Sequence, residues 1–382
     1  MVARTLLAVE GLFRKKVRRI DPEKAKQVLV LEYMLPLGSC VHLTPFFEAL
    51  KLGRKDVTIT AATRGLGAQV LRHSPYVDRL IDTPDPLIDL KKAVRCLRDR
   101  LRTMKIEADC VLTGASDQRT RIALLGLLST SGWRGGYTIK PALYQRPLEY
   151  DRSISLIGNN LRLAGLVGGK SDAIEPRFFF SESDAEAART LLLEVNPEGR
   201  PVAVMVTQNS GGQATGWHTE RFVEVIRHAA ERCGCAVMYV GTSGDKAAIE
   251  AIRGAAGGVG RSVAGRTSVT ELAALLAMSD VMVTLDTGTM HVGRAVKTPM
   301  VVLGPSWQRP IEWLPLMVAN VRILRGADRD TVPENYKLDE ISTESVIAAL
   351  DDLLRVYPAS AEARADRVAQ SLSSVDHLVG EV

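Results

Sequence analysis

The sequence has few aromatic residues and few cysteines. Aromatic residues make up 5% of the 382 residues, which argues against a protein built around stacked nucleobases or aromatic sugar-binding platforms. The cysteines are odd in number and lack zinc-type spacing, so we expect reduced thiols, no metal site and a cytoplasmic protein. They are Cys40, Cys96, Cys110, Cys233 and Cys235.

Long hydrophobic runs are also missing. No apolar stretch approaches the roughly 18 residues of a membrane-spanning helix. We expect no signal peptide, because the basic run at residues 14–19 interrupts the N-terminal apolar stretch too early. With 46% hydrophobic residues, the chain is instead expected to form an ordinary globular protein, long enough for two domains with substantial cores.

Positive charge is concentrated in the first half of the chain. Residues 1–180 contain 30 Lys and Arg against 18 Asp and Glu, whereas residues 181–382 contain 19 against 26. The excess lies mainly at residues 14–19 and 91–105. We therefore expect the first half to meet an acidic surface, namely lipid, phosphorylated glycan or nucleic acid. A membrane-surface helix is favoured for residues 14–19, while a solvated helix face is an equal alternative for residues 91–105.

Apolar stretches of strand length alternate with stretches of helical periodicity along the whole sequence. Strands are predicted at residues 27–33, 57–61, 79–82, 109–113, 202–207, 236–241, 262–264, 281–285 and 300–303. Helices are predicted at residues 44–51, 86–104, 119–128 and 219–230. Two capping-box patterns, Ser183-Asp-Ala-Glu186 and Ser268-Val-Thr-Glu271, predict further helix starts.

This alternation predicts an α/β fold, because continuously apolar strands between helices form parallel sheets covered on both faces. The expected architecture is two Rossmann-like domains that face each other across a cleft. We place them at residues 1–175 and 176–340, with C-terminal helices at residues 341–382. Ligands of such folds bind at the carboxyl ends of the strands.

The strongest single signal is the segment from Val281 to Val296. A β-branched strand ends at Asp286, and a helix of small residues then begins with Thr287 as a good N-cap and Gly288 allowing close approach of a ligand. Free N–H groups at such a helix start favour an anion, most often a phosphate. Asp286 and His291 flank this point as a hydrogen-bond acceptor and a candidate cation. The segment therefore predicts a polyphosphate site.

Three other loops at strand ends of the second half are candidates for the same site. The first is a glycine-rich loop at residues 207–217, which resembles neither a Walker loop nor a GxGxxG motif. The second contains Asp245, which either binds ribose hydroxyls or is simply a favourable charge at a helix start. The third, at residues 265–268, is a candidate to contact the nucleobase of a nucleotide. From these loops we predict that Ser210, Gly211, Gly212, Gly241, Thr242, Asp245, Arg266 and Thr267 contact the ligand.

These segments resemble glycosyltransferase family 9, the heptosyltransferases of lipopolysaccharide assembly. The family's Asp-(Thr/Ser)-Gly-x-x-His turn stands here as Asp286-Thr-Gly-Thr-Met-His291, followed by Thr298-Pro299 and Gly304-Pro305-Ser306. Three other segments are similar to family motifs, and the resemblance covers residues 27–320. They are Leu37-Gly-Ser-Cys-Val-His-Leu-Thr-Pro-Phe-Phe-Glu-Ala-Leu-Lys51, Trp217-His-Thr-Glu-Arg-Phe222 and Gly265-Arg-Thr-Ser-Val-Thr-Glu-Leu272.

The resemblance implies the GT-B fold, a nucleotide-diphosphate sugar such as ADP-heptose in the second domain, and an acceptor sugar in the first. It implies transfer with inversion and with neither metal nor cofactor. Helix N-termini would stabilise the departing diphosphate, and the Asp of a Gly-Asp pair would take the acceptor proton. Here Ser39 follows Gly38, and Thr215 stands where the family has a Lys that often contacts phosphate. Ser39 therefore marks the catalytic position, and Glu32, His42 and His218 are candidate substitute bases.

We therefore expect a cytoplasmic glycosyltransferase, peripheral on the inner face of the cytoplasmic membrane. Its partners would be a nucleotide-diphosphate sugar, a lipid-linked or phosphorylated glycan acceptor and an anionic membrane surface. The main alternative is a catalytically reduced homologue that binds nucleotide sugars or scaffolds a glycan-assembly complex. A nucleotide-sugar epimerase is a weaker alternative, and no nucleic-acid motif accompanies the charge.

Overall fold

A computed structural model describes residues 24–34, 36–170, 175–209, 216–332 and 334–377. The predictions for the basic run at residues 14–19, and for Ser210, Gly211, Gly212 and Thr215, lie outside these residues. The chain divides into two compact units. Described residues 24–176 and 375–377 belong to the first unit, and Arg177–Ser374 forms the second.

The first unit contains a parallel six-stranded sheet with the order β3-β2-β1-β4-β5-β6. Its strands are β1 (Gln27–Leu31), β2 (Thr58–Thr63), β3 (Arg79–Asp82), β4 (Cys110–Thr113), β5 (Trp133–Tyr137) and β6 (Arg146–Leu148). Its helices are α1 (Leu37–Gly53), α2 (Gly65–Leu71), α3 (Leu90–Thr103), α4 (Thr120–Ser129) and α5 (Leu156–Gly165). An α-helix connects each pair of successive strands from β1 to β5, because each return must cross the face of the sheet, whereas residues 138–145 join β5 to β6 without one.

Strands β5 and β6 are absent from the sequence prediction. The sequence of β5, Trp-Arg-Gly-Gly-Tyr, has the glycines of a turn and not the β-branched residues of a strand. In the structure Gly136 has a φ of 106°, and a Cβ there would collide with the carbonyl oxygen of Thr113 on β4. Arg134 on the same strand is buried and donates from Nε to the Leu143 carbonyl at 2.7 Å. The glycines therefore allow close backbone packing, and the buried arginine is satisfied locally.

The second unit repeats this plan with a parallel sheet in the order β12-β11-β10-β7-β8-β9. Its strands are β7 (Val202–Val206), β8 (Ala236–Tyr239), β9 (Arg261–Ser262), β10 (Val281–Leu285), β11 (Met300–Leu303) and β12 (Val321–Leu324). Its helices are α6 (Glu182–Val195), α7 (Thr219–Glu231), α8 (Lys246–Ala255), α9 (Val269–Ala277), α10 (Gly288–Ala295), α11 (Pro310–Trp313), α12 (Thr343–Val356) and α13 (Ala361–Ser371).

Both sheets have the strand order of a Rossmann fold, in which the first and fourth strands lie side by side at the centre. The prediction of two Rossmann-like α/β domains is confirmed. The order changes direction between β1 and β4 in one sheet and between β7 and β10 in the other. At such points the loops after neighbouring strands diverge to opposite faces and leave room for a ligand at the carboxyl edge.

Several local predictions need correction. The helix predicted from the Ser183 capping box begins at Glu182, because the Ser181 side chain caps it and Asp184 closes the box. The Ser268–Glu271 box is confirmed as the start of α9. The helix predicted from residue 86 starts only at Leu90, because the Asp89 side chain accepts from the Lys92 amide. The strand predicted at residues 262–264 is β9, which ends at Ser262, and β12 was not predicted.

Within the residues that the structure describes, no helix combines the length and the apolar character needed to cross a membrane. Helix α3 is instead strongly amphipathic, with Ala93, Leu97 and Leu101 buried against the first sheet and its basic residues turned outward. All five cysteines are free thiols.

Candidate functional site

The candidate phosphate site lies where the second sheet changes direction. Strand β10 pairs with β7 on one side and β11 on the other, and Asp286 follows its last residue. Helix α10 begins two residues later, with Thr287 as its N-cap. Its packing on the sheet is close, since a Cβ at Gly293 would lie 2.6 Å from Met282 Cε on β10. The start of α10 is therefore held at the centre of the carboxyl edge.

Thr287 leaves a buried polar atom without a partner. Its backbone is extended, with φ of −142° and ψ of 171°, and its side chain does not cap the helix. Thr287 Oγ1 is buried and has no hydrogen-bond partner among the described residues. A buried hydroxyl that makes no hydrogen bond is costly. At a helix N-terminus, a phosphate oxygen is the partner that would satisfy both the hydroxyl and the adjacent N–H groups.

His291 and Asp286 flank this hydroxyl, and both are almost fully buried. Burial lowers the pKa of His291 to about 3, with a further contribution from nearby Arg294. Burial also raises the pKa of Asp286 to about 6. Desolvation therefore disfavours the charged imidazole in this structure, and the role of His291 as a cation stays a prediction. Its Nε2 lies 3.8 Å from Asp286 Oδ1, beyond hydrogen-bond distance.

The neighbouring Gly304-Pro305-Ser306 loop after β11 is held rigidly. Arg325 Nη2 donates to the carbonyls of Pro305, Ser306 and Gln308 at 3.1–3.3 Å. The buried Ser306 hydroxyl lies 3.0 Å from the Tyr336 hydroxyl, which donates to Glu340 at 2.5 Å. This loop is therefore preorganised beside the start of α10, on the adjacent strand.

The other predicted donor residues also follow strands of this sheet. Gly241, Thr242 and Asp245 come after β8, but Asp245 Oδ2 accepts from the Thr242 amide and hydroxyl, both at 2.7 Å, in a capping box. The helix-start alternative therefore accounts for the position of the Asp245 carboxylate. Arg266 and Thr267 come after β9, and Arg266 Nη2 forms an exposed ion pair with Glu194 at 2.7 Å. Their contacts with a nucleotide stay predictions.

A pocket of about 330 Å³ opens at the end of β7. Its lining includes Thr207, Gln208 and Trp217 together with residues of α8. Trp217 is itself anchored, since its Nε1 donates to the Ile341 carbonyl at 3.0 Å and its ring packs edge-on against Phe222. The next residue, His218, approaches Asp339 at 2.6 Å. His218 therefore has a local structural partner, and its role as a base stays a prediction.

A second polar site lies at the corresponding position of the first sheet. Glu32 follows β1 and is buried, and its Oε1 accepts from the Met34 amide at 2.9 Å. Its Oε2 has no hydrogen-bond partner within the described part of the chain. Burial, and then the nearby Asp117 carboxylate, raise the pKa of Glu32 well above its usual value. A buried carboxyl whose pKa is raised in this way is a candidate for proton transfer.

Gly114, after β4, leaves room for this carboxyl. A Cβ there would lie 3.0 Å from Glu32 Oε2 and 3.5 Å from Asn160 Oδ1. Asn160 itself accepts from the Ala115 amide and donates to the His42 carbonyl, both at 2.9 Å. Glu32, Gly114 and Asn160 therefore form one buried cluster at the centre of the carboxyl edge of the first sheet.

The first turn of α1 adjoins Glu32. The Cys40 thiol donates to the Met34 carbonyl at 3.2 Å, and the Met34 amide is already bound by Glu32. Ser39 precedes Cys40 and is buried. His42, on the same helix, is also buried, and its role as a base stays a prediction. Of the three predicted catalytic residues, Glu32 has the most favourable environment for a base.

The sequence matches the model of glycosyltransferase family 9 (heptosyltransferase) over residues 122–339, more than half of the chain. The chain belongs to glycosyltransferase family 9. The motif at residues 37–51 lies outside the matched range. No match was found among curated proteins.

Solved structures with a similar fold cover both units. A family 9 glycosyltransferase from Veillonella parvula has a TM-score of 0.77 at 20% identity, covering 88% of this chain and 99% of that chain. Escherichia coli ADP-heptose lps heptosyltransferase II has a TM-score of 0.71 at 18% identity, with 87% and 100% covered. E. coli heptosyltransferase WaaC with ADP-2-deoxy-2-fluoro heptose has a TM-score of 0.64 at 16% identity, with 85% and 99% covered. The predicted GT-B fold class is thus confirmed.

In this family 9 chain the structure adds residues that the sequence analysis missed. Asp117 accepts from the Tyr33 amide at 3.2 Å and from Arg119 Nε at 2.7 Å. Arg119 also donates to the Tyr33 carbonyl at 3.1 Å. The pair therefore fixes the backbone next to Glu32, and Asn160 fixes the loop after β4. The sequence position of Asp117 and Arg119, shortly after a predicted strand, could have identified them. Asn160 lies within α5, and no sequence pattern singles it out.

Proposed function

We propose that this chain is an inverting glycosyltransferase that transfers a heptose or similar sugar from a nucleotide diphosphate to a cell-envelope glycan. We place it in the cytoplasm, at the inner face of the cytoplasmic membrane, in lipopolysaccharide assembly. The observation that carries the proposal is the buried Thr287 hydroxyl at the start of α10, which has no hydrogen-bond partner among the described residues. It supports diphosphate binding because phosphate oxygens would satisfy the hydroxyl and the free helix N–H groups together.

The second site supports the proton transfer that this reaction needs. The acceptor hydroxyl oxygen forms a bond to the anomeric carbon of the donor sugar. The bond from that carbon to the diphosphate oxygen breaks, and the proton of the hydroxyl passes to a base. Glu32 is our choice for this base, because a raised pKa makes its carboxylate a stronger base and its Oε2 has no hydrogen-bond partner among the described residues. The positive end of the α10 helix dipole stabilises the negative charge on the departing diphosphate.

ADP-heptose is the donor we favour. E. coli WaaC is described with ADP-2-deoxy-2-fluoro heptose and with ADP, and E. coli heptosyltransferase II as an ADP-heptose enzyme. The identities of 16–18% support the fold and not the substrate, so the donor is proposed by analogy.

A screen of donors tests this function directly. The full-length protein is assayed for binding and slow hydrolysis of ADP-, UDP-, GDP- and dTDP-sugars, each compared with its free nucleoside. We expect selective binding of one nucleotide-diphosphate sugar, and transfer when a phosphorylated glycan acceptor is added. Failure of all four donors to bind would refute the proposal. Tight binding without transfer to any acceptor would favour the alternative of a catalytically reduced homologue.

The outer surface of α3 supports the proposed membrane contact. Lys91, Arg95, Arg98 and Arg102 follow the spacing of one helix face and line a groove of about 700 Å³. Val94 and the half-exposed Leu128 add apolar surface to the same groove. The basic side chains at the edge of the groove suit anionic lipid head groups, and the apolar side chains suit the adjoining part of the acyl chains.

We expect salt-sensitive binding to anionic vesicles, because attraction between exposed charges is screened over about 10 Å at 0.1 M salt. Reversing two charges with Arg95→Glu/Arg98→Glu should reduce co-sedimentation with phosphatidylglycerol vesicles at least several-fold. The matched control, Lys55→Glu/Arg152→Glu, changes the same net charge at exposed positions of the first unit away from α3. Equal loss in both variants would show a general charge effect, and unchanged binding in the α3 variant would exclude this surface. Deletion of the first 20 residues tests the basic run separately.

A further inference from the structure

Three potential metal ligands from distant parts of the sequence meet at the side of the second unit. His228 lies in the last turn of α7, Cys233 follows that helix, and Asp351 lies on α12. His228 Nε2 is 2.8 Å from Asp351 Oδ1, and Cys233 Sγ is 3.3 Å from the same oxygen. The imidazole nitrogen, the sulfur and the carboxylate oxygen all lie within 4.8 Å of one another.

One side of this group faces a pocket of about 400 Å³. Its lining includes Pro201, Leu354 and Pro358 as well as Cys233 and Asp351. The pocket leaves space for a further ligand, such as a water molecule. The nearest basic residue in its lining, Arg355, pairs with Asp352 and not with Asp351. In the described part of the chain, the Asp351 carboxylate accepts hydrogen bonds from His228 and Cys233.

We propose that His228, Cys233 and Asp351 bind a zinc ion, with water from the pocket as the fourth ligand. Sulfur, imidazole and carboxylate are the three side-chain ligands that zinc prefers. Zinc bonds of about 2.0–2.3 Å in tetrahedral geometry separate the ligand atoms by about 3.3–3.8 Å. Two of the three separations, 2.8 Å and 3.3 Å, are at or below the lower end of this range, and the third lies within 4.8 Å, so side-chain rotations would bring all three atoms to zinc distance.

The position of this site separates it from the proposed phosphate site. Pro201 immediately precedes β7, and its carbonyl accepts from the Ala236 amide at the start of β8 at 2.7 Å. The site therefore lies at the amino edge of the second sheet, whereas Thr287 and His291 lie at the carboxyl edge. A zinc ion here would tie α12 to the end of α7, two helices that already pack together. The inference is independent of the proposed transfer reaction.

Zinc titration of the full-length protein against a chromophoric chelator tests the site. We expect one tightly bound equivalent, a higher midpoint of thermal unfolding with zinc, and with Co²⁺ a thiolate-to-cobalt charge-transfer band. His228→Gln, Cys233→Ser and Asp351→Asn should each lose the tight equivalent. The charge-transfer band should disappear in Cys233→Ser. Cys96→Ser is the matched control, because Cys96 is a half-buried thiol on α3 in the other unit.

The variants are compared with the wild type by circular dichroism without metal, so that loss of binding is separated from loss of fold. The competing interpretation is that His228, Cys233 and Asp351 form hydrogen bonds with one another and bind no metal. No tight equivalent in the wild type, or equal zinc binding by the wild type and Cys233→Ser, would overturn the proposal. Loss of binding in Cys96→Ser but not in Cys233→Ser would do the same.

Discussion

Replacing Glu32 by Gln is expected to lower the transfer rate by about a hundredfold to ten-thousandfold, the usual contribution of a general base. The amide has nearly the shape of the carboxyl and still accepts from the Met34 amide, but it takes no proton. Donor affinity should hardly change, since Glu32 and the α10 site belong to different units. Steady-state transfer kinetics and equilibrium donor binding, measured side by side, check both parts.

The wild-type transfer rate should also rise with pH through the raised pKa of Glu32, because only the deprotonated carboxylate acts as a base. Glu32→Gln should lose this dependence. The exposed Glu107→Gln serves as the control in the same unit. If Glu32 is the base, Ser39→Asp should leave the rate unchanged or lower it, because a second carboxylate beside Glu32 repels the first.

A large gain in rate from Ser39→Asp, together with little effect of Glu32→Gln, would assign the proton transfer to the Ser39 position instead. His42→Ala is the third variant to be assayed. A selective loss of glycosyl transfer in this variant would identify His42 as the base. If both the wild type and Ser39→Asp bind the donor but neither transfers the sugar, the alternative of a homologue that only binds nucleotide sugars would be favoured.

Replacing His291 by Ala should weaken binding of a nucleoside diphosphate by about tenfold to a hundredfold, the usual cost of losing a hydrogen bond to a charged group. Binding of the free nucleoside should change much less, because the proposed partner of His291 is phosphate. Both ligands carry the same nucleobase, and their dissociation constants are measured by titration calorimetry. Equal losses for nucleoside and nucleotide would show that His291 acts only through packing, including its edge contact with Trp313.

Thr287→Val provides an independent test of the same site. Valine matches threonine in shape and removes only the hydroxyl, which has no partner among the described residues. We expect weaker diphosphate binding together with an unchanged or higher free energy of unfolding, because an unsatisfied buried polar atom is removed. Unchanged affinity for the diphosphate in this variant would show that the hydroxyl does not contact the ligand.

The elements of the sheets could be predicted wherever the sequence pattern was local. The apolar runs of β1, β7 and β10 and the capping box at Ser268 were sufficient, because periodicity and end signals act within a few residues. Strand β5 escaped prediction because its pairing depends on the close approach of Gly136 to β4. The start of α6 was misplaced because Ser181 and Ser183 offer nearly equivalent caps, and only backbone geometry selects between them.

The sequence by itself determined the α/β class, the resemblance to family 9 and the turn from Asp286 to His291. Tertiary structure alone decided the lowered pKa of His291 and the raised pKa of Glu32, because both follow mainly from burial. It also decided that His228 meets Asp351, which is 123 residues further along the chain. Cysteine spacing did not indicate this group, because its ligands come from two helices that become neighbours only when the second unit folds.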